Sequence, residues 1–108
     1  GMKKRAGLAR ALVTQPEIML FDEPTTGLDP LLGKSIHELI RRMHDKFKFT
    51  GVIVSHDIPE VFKFSDRVAM LANGVIIESG TTEEFTSSTN PMVKQFLHGE
   101  TQGPISVL

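Results

Sequence analysis

Two short polar segments of this sequence each follow an apolar run, and they carry side chains that could handle a phosphate group. Asp22 and Glu23 come directly after the first run, and His56 comes directly after the second. Because side chains alternate along a strand, the adjacent carboxylates are expected to point in different directions. One can anchor Mg²⁺, which prefers oxygen ligands, while the other orients and deprotonates an attacking water. Phosphoryl transfer requires such a division of roles.

His56 could complete such a site, since a histidine at a strand end can donate a hydrogen bond to a phosphate oxygen and stay neutral near pH 7. Each of these residues also has an ordinary structural explanation. Asp22 and Glu23 can begin a turn with Pro24, and His56 can donate to a backbone carbonyl. Asp29 is explained locally as a helix N-cap. Taken one at a time, these residues do not separate a catalytic site from ordinary turns.

The composition narrows the class of protein that could hold such a site. The 108 residues carry 12 basic and 13 acidic side chains, and this balance argues against a nucleic-acid binder. Cysteine is absent, and His37, His44 and His98 show no metal-ligand spacing, so we expect these three to be solvated or structural. No apolar run approaches the roughly 18 residues of a membrane span. The basic start is not followed by the apolar stretch of about 7–15 residues that a signal peptide needs. A cytoplasmic location without direct membrane insertion is therefore expected.

The elements that would position these residues alternate between helices and strands. Helices are predicted over residues 3–13 and 30–47, both rich in good helix formers. The apolar runs at 18–21 and 51–55 are typical of parallel strands that are buried on both faces. Because parallel strands open their carboxyl ends on one edge of a sheet, the polar segments that follow them should lie at that same edge.

The second half of the sequence predicts shorter elements. Its turn and cap signals are Asp57, Asn73-Gly74, Thr81-x-x-Glu84 and Asn90-Pro91. They predict a short helix, a β-hairpin and two further short helices. Residues 100–108 carry no strong signal and are expected to form a tail.

The order of the motifs is more specific than any single motif. The segments that carry it are residues 1–12, 18–24, 25–30 and 52–57. This order closely resembles the second half of the ATP-binding subunit of ABC transporters, over residues 1–99. The resemblance implies an α/β fold, a partial P-loop NTPase core with parallel strands, flanking helices, a C-terminal β-hairpin and short helices. Residues 2–5, and residues 93–99 with Gly103-Pro104, look more specifically like the ATPases of Mla/Mce-type lipid transporters, with a polar amino-acid importer as the alternative.

The resemblance also implies roles for single residues. By it, Asp22 holds Mg²⁺ through water, Glu23 polarises the attacking water, and His56 contacts the γ-phosphate of ATP. Asp29 links two ATPase subunits in a head-to-tail dimer. Gly1 matches the last glycine of the signature motif, whose helix N-terminus points at the partner's nucleotide, although Gly1 can also be a residue left by an expression vector. The implied partners are a second ATPase subunit and a membrane permease, which would hold the protein at the inner face of the cell membrane.

The Walker A half of the family is not found in these 108 residues. They contain no G-x-x-x-x-G-K-[ST] motif, so nothing in them can cradle the α- and β-phosphates. We therefore expect that they do not bind ATP tightly or hydrolyse it on their own. The family's Walker A strand lies beside the strand at 51–55, so an apolar strand edge should promote self-association. Two classes stay open: the catalytic half of a transport ATPase, and a non-enzymatic remnant that acts only in subunit association.

Overall fold

A computed structural model describes residues 2–58 and 60–105 of the chain. The chain divides into two compact units, Gly1–Phe64 and Ser65–Leu108, and each contains its own two-stranded sheet. Gly1, which the resemblance placed in the signature motif, lies outside the described residues. The division of the sequence into a domain over residues 1–99 and a tail stays a prediction.

The first unit combines helices with a parallel pair of strands. In chain order its elements are α1 (Met2–Leu12), β1 (Ile18–Asp22), α2 (Pro30–Phe47), β2 (Thr50–Val54) and α3 (Glu60–Phe64). The strands pair in parallel, with Ile18 opposite Thr50 and Asp22 opposite Val54. The predicted α/β fold with parallel strands and flanking helices is therefore confirmed.

Helix α2 begins and ends at its own capping residues. The Asp29 carboxylate accepts a hydrogen bond from the Leu32 amide at 2.9 Å, and Pro30 lies in the first turn, where the missing N–H costs nothing. Lys48 follows the last turn with a left-handed φ of 58°, and its amide donates to the His44 carbonyl. The predicted helix over residues 30–47 is confirmed at both ends.

The core of the first unit lies against one face of the sheet. Its buried side chains are Leu8, Met19, Phe21, Ile36, Ile40 and Phe49. They come from α1, β1, α2 and the turn before β2, so a single cluster ties the long helices to the strands. Burying one such side chain stabilises a fold by about 1.5–3 kcal/mol.

The opposite face of the sheet is exposed, which corrects the expectation that both strands are buried on both faces. Ile18 and Leu20 of β1 are 63% and 77% exposed, whereas the residues that alternate with them are buried. Val52 and Val54 of β2 are also about half exposed. The apolar runs were interpreted as parallel strands covered on both sides, but here the described residues cover only one side. We call these four side chains the bare sheet face.

His37 lies on α2 and is structural rather than solvated, with 1% of its surface exposed. Its ring packs on that of Phe64 in α3, with 5.0 Å between the ring centroids. Neither ring nitrogen has a hydrogen-bond partner in the described part of the chain. Burial lowers the pKa of His37, while the negative charges of Asp57 and Glu60 act in the opposite direction. His37 is therefore a neutral packing residue between α2 and α3.

The second unit is a hairpin followed by short helices: β3 (Arg67–Ala72), β4 (Val75–Thr81), α4 (Thr82–Thr86) and α5 (Pro91–His98). The antiparallel strands turn at Asn73-Gly74, whose φ angles of 51° and 79° suit a type I′ turn. Thr81 and Glu84 form a reciprocal capping box at the start of α4. Asn90 caps α5, which ends at Gly99 with a left-handed φ of 65°. The predicted hairpin and its two following helices are confirmed.

Residues 100–105 are not a loose extension of the second unit, although the sequence gives no signal for their course. Gln95 of α5 is buried, and its side chain forms hydrogen bonds with the backbone of Glu100 and Ile105.

No helix among the described residues is long and apolar enough to cross a membrane.

Candidate functional site

Glu23 and His56 meet at the carboxyl edge of the parallel sheet, although 33 positions separate them in the sequence. Asp22 lies opposite Val54 in the register, and the Glu23 amide donates to the Val54 carbonyl at 2.8 Å. Both chain segments therefore leave the sheet at the same level. The Oε1 atom of Glu23 then lies 2.9 Å from Nδ1 of His56. Parallel pairing brings together two of the residues that the sequence singled out.

An unusual backbone conformation aims the Glu23 side chain. Its φ of 47° is in the left-handed region, which costs a residue with a Cβ atom about 1 kcal/mol. The turn is held by the Glu23 carbonyl, which accepts a hydrogen bond from the Thr26 amide at 3.2 Å. The Thr26 hydroxyl also donates to Oε2 of Glu23 at 3.5 Å. Oε1 is thus directed to His56 and Oε2 to Thr26.

His56 is an exposed histidine with a carboxylate partner, since 78% of its side chain is accessible to solvent. The hydrogen bond with Glu23, and then the negative charge of Glu23, raise the pKa of His56 above its ordinary value of 6.5. The sequence predicts a neutral ring near pH 7, but the raised pKa favours the imidazolium form of His56. With Nδ1 engaged by Glu23, Nε2 is the nitrogen that can donate to an anion above the sheet edge.

Asp22 occupies different surroundings from its neighbour Glu23. It is exposed, and it lines a cleft of about 250 Å³ together with Lys3 and Lys4 of α1. Among the described residues, no group of three or more histidine, aspartate or glutamate side chains could hold a metal ion. Asp22 could therefore bind Mg²⁺ only as a single carboxylate ligand, with waters at several of the other coordination positions. Such coordination is common for Mg²⁺ beside phosphates.

Asp29 is confirmed as the N-cap of α2. It is exposed, and its Oδ1 is the atom that accepts the Leu32 amide. The local explanation therefore accounts for this residue, and its contact with a second subunit stays a prediction.

Two hydroxyl residues at this sheet edge were given no role in the sequence analysis. Thr26 contacts the Glu23 carboxylate, and the Ser55 hydroxyl accepts the Asp57 amide at 3.0 Å. The second bond closes the turn that carries His56. Only their local sequence could have indicated these contacts, because a hydroxyl two or three residues from a charged residue often stabilises a turn.

Comparisons with known proteins place the chain among ABC ATP-binding proteins. The family model "ABC transporter" matches residues 1–26. The intermembrane phospholipid transport system ATP-binding protein MlaF of Haemophilus influenzae is 41% identical over 97% of this chain. Protein TRIGALACTOSYLDIACYLGLYCEROL 3, chloroplastic, of Arabidopsis thaliana is also 41% identical over 97% of the chain.

A solved structure gives the same result for the fold. The structure of cbiO1 from Clostridium perfringens, part of the ABC transporter complex cbiONQ, has a TM-score of 0.76 and 34% identity over 81% of this chain. The chain spans 40% of the Haemophilus relative, 35% of the Arabidopsis relative and 35% of the cbiO1 chain. It therefore belongs to the ABC ATP-binding family, and its sequence is Mla-like.

Proposed function

We propose that these residues supply the catalytic side of an ATP-hydrolysing site in an ABC transporter, with Glu23 as general base. The observation that carries the proposal is the 2.9 Å contact between Glu23 Oε1 and His56 Nδ1. A carboxylate fixed by an imidazole is oriented to accept a proton from water, and general-base catalysis typically contributes about 10²–10⁴-fold to a rate. His56 holds Glu23 through Nδ1 and would donate from Nε2 to the γ-phosphate of ATP.

The other site residues would serve the metal and the second subunit. Asp22 would hold Mg²⁺ through water, and Mg²⁺ when bound would neutralise charge on the phosphates. Lys3 and Lys4 line the same cleft as Asp22. Asp29 would contact the second ATPase subunit of a head-to-tail dimer, and Gly1 would face the nucleotide of that subunit.

Replacing the general base tests the proposal. In an ATPase that carries this sequence behind a Walker A half, Glu23→Gln should bind ATP and accumulate the closed dimer. Its turnover should fall by about 10²-fold or more, because the amide cannot accept the proton. Glu38→Gln, an exposed change on α2, is the matched control and should leave turnover unaltered. Ordinary turnover in Glu23→Gln would remove Glu23 from this role.

The 108 residues by themselves are proposed not to bind ATP tightly, because they contain no glycine-rich phosphate loop. Calorimetry of the isolated chain with Mg·ATP should give no heat of binding at micromolar concentrations. A micromolar dissociation constant would contradict this part of the proposal.

The proposed cargo is a lipid or another apolar solute. It is supported by the names of the two relatives, which refer to phospholipid transport and to a glycolipid. A permease in the membrane would select the cargo and hold the ATPase at the cytoplasmic face of the cell membrane. Reconstitution with that permease tests the choice: phospholipid should stimulate ATP hydrolysis, and stimulation by polar amino acids instead would favour the alternative importer.

A non-enzymatic role in subunit association is the second candidate, and the bare sheet face favours it. Exposed apolar side chains on a short parallel sheet should drive the isolated chain to self-associate. Light scattering should show oligomers whose mass falls in Leu20→Thr. Leu71→Thr, which changes another exposed leucine in the second unit, is the control. A clean monomer at high concentration would contradict the association.

An in-frame Walker A motif in the upstream DNA would favour the enzyme, and a stop codon there would favour the remnant.

A further inference from the structure

Gln95 is a buried polar residue on α5 that lies outside the candidate catalytic site. Only 4% of its surface is exposed, and it makes three side-chain hydrogen bonds. Its Oε1 accepts the Ile105 amide at 2.7 Å. Its Nε2 donates to the Ile105 carbonyl at 2.8 Å and to the Glu100 carbonyl at 3.2 Å. All three partners are backbone groups of Glu100 and Ile105. We call residues 100–105 the tail segment.

The chemistry of this contact is that of strand pairing. A carboxamide presents an acceptor and a donor side by side, as a peptide group does. Gln95 exchanges both kinds of bond with one residue, Ile105, as paired residues of an antiparallel sheet do. Its second N–H is used by Glu100, so the buried amide is fully used as a donor. A buried amide without these partners would be costly, so the tail segment and Gln95 stabilise each other.

Glycine at position 103 allows the chain to pass directly over the carboxamide. Gly103 has a φ of 149°, and a Cβ atom there would lie 2.6 Å from Oε1 and 2.7 Å from Cδ of Gln95. Any larger residue would therefore collide with the group that binds the tail segment. The reversal starts at Gly99 with its left-handed φ, after which the Glu100 amide donates to the Gln95 carbonyl at 3.1 Å. Two glycines thus return the chain onto the helix that it has just left.

We propose that Gln95 is a backbone latch, a site that recognises an extended peptide by its main chain and that its own tail segment occupies. The recognition uses only N–H and C=O groups, so it depends on the donor–acceptor pattern of residue 95 and on the absence of a side chain at residue 103. Opening the latch would free residues 100–105 while the hairpin and α5 keep their own hydrogen bonds. The proposal is independent of ATP hydrolysis.

An isosteric substitution separates hydrogen-bond recognition from packing. Gln95→Glu keeps the shape, but an ionised carboxylate cannot donate and would face two carbonyl oxygens. In the 108-residue chain, the protection of the Ile105 amide against hydrogen exchange should fall by more than about tenfold near pH 7.5. It should partly recover near pH 5, because the buried carboxyl then carries a proton that it can donate. Gln95→Leu should lose protection at both pH values.

Two further variants keep the test decisive if a change at position 95 disturbs the unit. Gly103→Ala leaves Gln95 in place and should also expose the Ile105 amide, while the amides of the β3–β4 hairpin keep their protection. Gln102→Ala, an exposed change within the tail segment, is the matched control and should behave as the unsubstituted chain. Unchanged protection of Ile105 in Gln95→Glu near pH 7.5 or in Gly103→Ala would overturn the latch. Loss of protection that does not recover near pH 5 in Gln95→Glu would also overturn it.

Discussion

His37 and His56 belong to the same unit, but their surroundings shift their pKa values in opposite directions. His37 is enclosed between α2 and α3, and burial lowers its pKa. His56 stands exposed beside Glu23, and that carboxylate raises its pKa. Packing therefore makes one histidine a neutral spacer between two helices, whereas a single carboxylate neighbour favours the protonated form of the other.

The two histidines are also connected through one short segment. His37 packs on Phe64 at the end of α3, and α3 follows the turn that carries His56. The Val61 amide donates to the Asp57 carbonyl at 2.9 Å, which joins that turn to the helix. The buried histidine therefore supports the segment on which the exposed one stands. Four substitution experiments test how separate these roles are.

The largest difference between the histidines should appear in catalysis. In an ATPase with a Walker A half, His56→Gln should lower turnover by about 10²-fold, because Glu23 loses the group that orients it. His37→Phe keeps a ring against Phe64 and should retain turnover within about threefold. ATP hydrolysis at saturating nucleotide measures both. Equal losses in the two variants would show that His56 has no special part in the reaction.

Stability should show the reverse order. His37→Ala removes a fully buried ring and should lower the free energy of unfolding by about 2–4 kcal/mol. His56→Ala removes an exposed side chain and should change the free energy of unfolding far less than His37→Ala does. Urea unfolding followed by circular dichroism compares them, with His98→Ala as an exposed control. A larger effect at position 56 than at position 37 would contradict the assignment of packing to His37.

Acidification should destabilise the first unit through His37. Its pKa is lowered on folding, so the ring is neutral in both states above pH 6.5. Below that value the unfolded chain binds a proton that the folded chain resists, and stability falls as pH decreases toward the folded pKa. His56 has the opposite sign, since its contribution is present below pH 6.5 and is lost as pH rises through its raised pKa.

Unfolding midpoints near pH 7.5 and near pH 5.5 measure this difference. The decrease on acidification should be smaller in His37→Phe than in the unsubstituted chain, because the variant cannot bind the extra proton when it unfolds. An identical decrease in both chains would show that other groups cause the acid sensitivity.

The smallest predicted effect isolates the Glu23–His56 contact. Glu23→Gln removes the charge that raises the pKa of His56, so that pKa should fall toward 6.5. The pKa of His37 should not move, since the charges that act on it are those of Asp57 and Glu60. Titration of the histidine ring protons by NMR reports both values in one sample. A shift at His37 alone would break the distinction between the two sites.

Elements controlled by neighbouring residues could be predicted from the sequence. Asp29, Asn73-Gly74 and the Thr81 capping box act within a few positions of themselves, so the bounds of α2 and the hairpin follow from local chemistry. Even the shared edge of β1 and β2 followed from the rule that parallel strands open in one direction.

Features that depend on distant packing could not be predicted. An apolar run indicates that a strand can be buried, but it does not indicate whether another element covers it. The bare sheet face is apolar in sequence and still exposed. The burial of His37 depends on α3 folding against α2, which nothing near position 37 encodes. For Gln95, recognition of the tail segment depends on a reversal that ends ten residues away, at Ile105.

The left-handed backbone of Glu23 has a consequence for how variants of this protein would be selected. Glycine adopts that conformation without penalty, so Glu23→Gly would relieve about 1 kcal/mol of strain while it deletes the carboxylate. A screen that rewards thermal stability alone would therefore favour the loss of this side chain. In an ATPase that carries this sequence behind a Walker A half, a screen for the proposed ATP turnover would reject the same change. At position 23, selection for thermal stability and selection for catalytic activity would therefore favour different residues.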